Sequence, residues 1–66
     1  MWKKCRKKPI IVEFREVEGE EEIIKTKEGD LMAHKNKSFI IRGAKGELYP
    51  IDKKIFYETY EILEDN

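Results

Sequence analysis

Apolar and polar residues alternate along PIIVEFREV (9 to 17), setting Ile10, Val12 and Phe14 on one face and Ile11, Glu13 and Arg15 on the other. A period of two with β-branched side chains predicts a half-buried strand over 9–17. A turn at Val17, Glu18, Gly19 and Glu20 follows. EEIIKTK (21–27) and DLMAHK (30–35) then read as a second and a third strand. Between them lies TKEGD (26–30), and GAKGE (43–47) repeats its design, a glycine just before an acidic residue. Both match a type I turn closed by a glycine in the left-handed region, so the same chemistry predicts two hairpins. The second joins Ser38–Gly43 to Glu47–Ile51, with Phe39 and Ile41 on one face and Ile40 and Arg42 on the other. Asn36 and Lys37 link it to the preceding strand. Pro50 has no amide hydrogen to donate and belongs at an edge, a bulge or a strand end.

Asp52 is a good helix N-cap, and KKIFYE (53–58) has room for one or two helical turns with Ile55 and Phe56 inward. TYEIL (59–63) reads as a last short strand. The fold class is therefore mainly β: a small antiparallel sheet or partly open barrel of five to six short strands, with one short helical turn near residues 52–58. Residues 1–66 form one small β-rich domain, with a basic arm at 1–8 and an acidic tail at 64–66 that is expected to fray.

Composition limits this picture. Sixty-six residues bury only about 60% of their unfolded surface, so the core is small. The chain is 39% hydrophobic and 42% charged, which fits a globular domain with a heavily charged skin. Fourteen basic and fourteen acidic residues cancel, so net charge gives no argument for a polyanionic partner. Their distribution is uneven: Lys3, Lys4, Arg6, Lys7 and Lys8 crowd the start, and five glutamates crowd 16–22. Two readings of the arm stand, a solvated terminus and a nucleic-acid contact in which Trp2 stacks while Lys3, Lys4, Arg6, Lys7 and Lys8 meet phosphates. Cys5 is the single cysteine, so the chain forms no internal disulfide, and a reducing cytoplasm is the natural compartment. No apolar run approaches bilayer-spanning length, so no membrane partner is expected.

The candidate chemistry is sparse. His34 has no Ser, Cys or carboxylate at a recognisable catalytic spacing. GAKG is too short for a phosphate-binding P-loop and lacks the dinucleotide pattern. No catalytic residue, cofactor or metal is expected, and a pocket of about 300 Å³ is hard to build within so small a core. An enzymatic site shared between subunits is the least favoured reading. Self-association through exposed strand edges is a further expectation. Arg42 stands out, since an arginine beside Phe39, Ile40 and Ile41 must leave the sheet face or find a partner. Glu47, across the turn, offers a local ion pair. Alternatively Arg42, Glu47 and Tyr49 form a binding surface with a guanidinium beside an aromatic ring, suited to a phosphate, a carboxylate or a base.

RKKPIIVEF (6–14), IIKTKEGDLMAHK (23–35) and FIIRGAKGELYPIDKKIFYETYE (39–61) together resemble the PGDYG family of small proteins common in tailed phages and prophages. The family pattern runs approximately RKKPVVIEA, an IKTLEG-like hairpin, then PGDYIIRGVKGEFYPCKPDIFEKTYE. Matching positions include Arg42, Gly43, Gly46, Glu47, Tyr49 and Pro50. Asn36, Lys37, Ser38 and Phe39 replace the family's PGDY, and Ile51 stands where many relatives have cysteine, which argues against thiol chemistry there. Members of that family have no established activity, and the resemblance together with the absence of a catalytic constellation leads to the expectation of a non-enzymatic binding or accessory module of phage or mobile-element type. Its expected partner is a protein or a small anion, with nucleic acid as the alternative.

Overall fold

A computed structural model describes residues 1–64. It holds five strands and one helix: β1 (Glu13–Glu16), β2 (Glu21–Thr26), β3 (Gly29–His34), β4 (Ser38–Arg42), β5 (Leu48–Asp52) and α1 (Lys53–Thr59). They form two antiparallel sheets, three-stranded β1-β4-β5 and two-stranded β2-β3, which do not close into a barrel. None of the described helices is long and apolar enough to cross a membrane. Of the acidic tail expected at 64–66, all but Glu64 lies outside the described residues.

The central strand explains the architecture. β4 pairs Ile41 with Phe14 on one side and with Tyr49 on the other, and Ile40 with Arg15 and Pro50. Alternation sends Phe39 and Ile41 to one face and Ile40 to the other, yet all three are buried, because both faces are covered. Over Ile40 lies the β2-β3 hairpin, which contributes Ile24 and Ala33 to a cluster with Val17. Over Phe39 and Ile41 lies α1, whose Phe56 is 2% exposed. Phe14, Phe39 and Phe56 meet there with ring centroids 4.7–5.0 Å apart. Ile40 and Ile41 each bring about 1.5–3 kcal/mol of hydrophobic stabilisation. Pro50 lies in β5, an edge strand of its sheet, where a missing amide hydrogen leaves no central ladder incomplete.

Several sequence expectations are corrected. The strand expected over 9–17 is ordered as a strand only at Glu13–Glu16. Its partner sets the limit: Glu13 pairs with Arg42, and the next residue, Gly43, donates its amide to the Glu47 carbonyl and accepts from the Gly46 amide. With both groups spent inside its own turn, Gly43 offers residues 9–12 nothing to pair with. The two hairpin turns also differ. In GAKGE the Gly46–Gly43 bond and Gly46 at φ +84° give the expected type I turn with its left-handed closing glycine. In TKEGD, Thr26 pairs directly with Gly29 across the two residues Lys27 and Glu28, and the Thr26 hydroxyl bonds the Gly29 carbonyl. The β3–β4 link turns at Asn36, which takes φ +68°, a conformation asparagine tolerates better than most side chains.

The helix begins as expected, with the Asp52 carboxylate accepting the Lys54 amide at 2.7 Å. Only Phe56 turns fully inward. Ile55 is 51% exposed, because a helix of seven residues presents a single stripe to the sheet and position 55 lies about 100° away from it. TYEIL forms no strand: the helix runs to Thr59 and the Tyr60 amide bonds the Phe56 carbonyl, so the segment enters no ladder.

Candidate functional site

Two concave surfaces flank the β1-β4-β5 sheet, and the residues singled out from the sequence divide between them. The first is a cavity of about 170 Å³ on the hairpin side, where Ile40 and Leu48 lie near Glu13, Arg15 and Arg42. Arg42 does not pair with Glu47. Its Nε and Nη2 donate to Glu13 Oε1 at 2.9 and 2.6 Å, across the β1-β4 pair. Glu13 is its directly opposed neighbour and shares its sheet face, whereas Glu47 lies beyond the turn. Both side chains are more than half exposed, so this contact contributes about 0.2–1 kcal/mol.

Nor does Arg42 stand beside Tyr49. Arg42 is opposite Leu48 and Ile41 is opposite Tyr49, so the guanidinium and the Tyr49 ring leave the sheet from different faces. The set Arg42, Glu47 and Tyr49 is therefore split, with Glu47 and Tyr49 on the far side.

That far side carries the larger surface, a groove of about 380 Å³. One wall is the segment before β1, which brings Lys7, Lys8, Ile10 and Val12. The opposite wall is the β4–β5 turn, with Lys45 and Glu47, and the floor holds Tyr49 and Tyr60. It is a shallow, open groove. It forms between the arm and the hairpin instead of inside the core, which is why the size of the core did not limit it.

Each wall has a local cause. Glu47 folds back on its own turn, where Oε1 accepts the Lys45 amide at 3.3 Å. A side chain at Gly43 would overlap that carboxylate, so the glycine leaves room for it. Tyr49 is half-buried against the Phe39, Ile41 and Phe56 cluster. Its hydroxyl lies 3.3 Å from that of Tyr60, whose ring stacks on Phe56 at 5.1 Å with an interplanar angle of 10°. Burial first, and the Tyr60 hydroxyl second, push the Tyr49 phenol up to about 12, so it is protonated at neutral pH.

The rest of the arm extends beyond the groove. Trp2 is 99% exposed, and Lys3, Lys4, Cys5 and Arg6 are exposed as well. His34 sits on β3 with Nδ1 3.6 Å from a carboxylate oxygen of Glu21, its cross-strand neighbour. Among the described residues, no three His, Cys, Asp or Glu side chains converge as a metal site requires.

Sequence reasoning missed Lys45 and Tyr60 as groove residues. Lys45 sits where the turn chemistry explained the segment without it. Tyr60 falls in the segment that reads as a strand, and only the helix ending at Thr59 swings its ring towards Tyr49. No protein-family model, curated protein or solved structure matches the chain.

Proposed function

We propose that the protein is a non-enzymatic binding module that holds an anionic partner in the groove between its basic arm and the β4–β5 hairpin. One observation carries this reading: Lys7 and Lys8, 35 or more positions from the turn in sequence, line the same groove as Lys45, Tyr49 and Tyr60. A groove lined by three lysines and two half-buried tyrosines favours a partner with negative charge and some apolar surface. Of the residues read from the sequence as a binding surface, Tyr49 has that role in this proposal, and Glu47 holds the turn by accepting the Lys45 amide. Arg42 takes a structural one, pinning β1 to β4 through Glu13. The resemblance to the PGDYG family supports a cytoplasmic accessory role of phage or mobile-element type.

Fluorescence anisotropy with a labelled oligoglutamate peptide tests the reading. The triple variant Lys7→Glu, Lys8→Glu, Lys45→Glu is expected to lose binding that the parent shows at low salt. Equal binding by both proteins would show that the groove is not the site.

A second reading, single-stranded nucleic acid, is favoured by Trp2, which is fully exposed amid five cations. It predicts quenching of Trp2 fluorescence by an oligothymidylate and an affinity that falls steeply with salt, as phosphate contacts release counterions. Unquenched Trp2 with full retention of oligoglutamate binding would remove it.

A further inference from the structure

The groove presents an unbalanced set of hydrogen-bonding groups. Tyr49 and Tyr60 share one hydrogen bond between their hydroxyls, in which either oxygen can be the donor. Two hydroxyls carry two protons, so one O–H stays free to reach another acceptor. The three lysines of the groove bring donors and no acceptor. The one carboxylate, Glu47, is turned to the Lys45 amide. With Glu47 set against Lys7, Lys8 and Lys45, the groove keeps a formal excess of two positive charges.

We propose that the groove is a phosphate site, in which the oxyanion of a small phosphate monoester lies among Lys7, Lys8 and Lys45 and accepts the free tyrosine O–H. This rests on the reading of the groove as an anion site and names the anion. A phosphate monoester carries a charge of about −1.5 to −2 at neutral pH and three strong acceptor oxygens. It matches the excess charge and offers these donors more acceptor oxygens than a carboxylate, which brings a single charge and two oxygens. The Tyr49 phenol, whose ordinary value of 10.0 burial only raises, is protonated throughout the neutral range. The groove is larger than a bare phosphate needs, and Ile10 and Val12 form an apolar wall beside it. An ester group with an aromatic or aliphatic body fills that space.

The test uses the full chain, labelled with nitrogen-15, and follows the amides of Lys45 to Tyr49 at constant ionic strength. Three probes are titrated at about pH 7.5, where a phosphate monoester, with its second ionisation near 6, is a dianion: phenyl phosphate, phenylacetate and inorganic phosphate. Phenyl phosphate is expected to bind several-fold more tightly than either of the others. The variant Tyr49→Phe, Tyr60→Phe should lose several-fold in phenyl phosphate affinity and little in phenylacetate affinity, and its amide spectrum reports whether it is folded. Equal affinities for phenyl phosphate and phenylacetate would overturn the phosphate assignment and leave the anion-binding module standing. No shift with any probe would overturn both. Inorganic phosphate binding as tightly as the phenyl ester would overturn the apolar wall as part of the site.

Discussion

The Glu22 carboxylate accepts from both terminal nitrogens of Arg15 at 2.6 and 2.9 Å and from the Glu18 amide at 3.2 Å. These bonds, Arg15 first, hold it down to about 2. Arg15 is raised in turn, chiefly by the same bond. A carboxyl whose folded value is depressed stabilises the fold at pH above its unfolded value of 4.5, and that stability is lost as pH falls towards 2. Urea midpoints measured across that window should therefore drop with pH for the parent. Glu22→Gln should flatten the profile; an unchanged slope would assign the acid sensitivity elsewhere. Tyr49 has the opposite sign. Its raised value means that stability is complete below the ordinary phenol value of 10.0 and is lost as pH rises towards 12. Tyr49→Phe should remove that alkaline loss, followed by circular dichroism, with tyrosinate absorbance reporting the ionisation. Arg42 shows how far a residue can be read in advance. Its need for a partner was legible from its apolar neighbours, but the identity of the partner depended on a register with β1 that no local pattern specifies.

Among the elements, α1 was the most legible and its inward face the least. Asp52 followed by a mixed apolar run marks the start by capping chemistry, which acts within a few residues. Asp52→Ala should cost about 1 kcal/mol, seen as a lower denaturant midpoint with an unchanged slope. Two adjacent apolar residues, Ile55 and Phe56, leave the choice of inward face to the sheet beneath. The sheet selects Phe56, which meets Phe14 and Phe39. Phe56→Ala should therefore cost about 3–5 kcal/mol, comparable with the whole stability of a domain this size, while Ile55→Ala stays within about 0.5 kcal/mol. Equal costs for the two would contradict this packing. The first strand was misjudged in length for a similar reason. Alternation from Ile10 to Val17 is real, but a strand needs a neighbour, and β4 stops supplying one at Arg42.

At the scale of the molecule, the mainly β class, five of the six strands read from the sequence and the hairpin of residues 38–52 followed from periodicity and turn chemistry. The division into two sheets did not, since it depends on which pairs of strands meet after both hairpins have formed. The groove was hidden for the same reason: its two walls are joined only by the fold. Arg15–Glu22 and Lys53–Glu16 then tie separate layers together. The first links the β1 side of the larger sheet to the hairpin sheet. In the second, Lys53 Nζ bonds both carboxylate oxygens of Glu16 at 2.9 Å and lies 4.7 Å from the centre of the Phe39 ring.

The double-sided burial of β4 also sets an order in time. The β2-β3 hairpin closes over two residues, and hairpins form in about 1–10 μs, but a lone hairpin is marginal in water until something covers its apolar face. Ile40 and Val17 cover it, and both core clusters draw on β4. Joining Glu13 to Arg42 closes a span of 29 residues, whose entropy must be lost before its contacts repay it. We predict that β4 pairing is the slow event and hairpin docking a late one. In stopped-flow refolding, Ile41→Val should act mainly by slowing folding and Ile24→Val mainly by speeding unfolding; the reverse partition would mean that the hairpin docks first. On that order, the strand that lies deepest in the finished molecule is also the one that sets its pace of assembly.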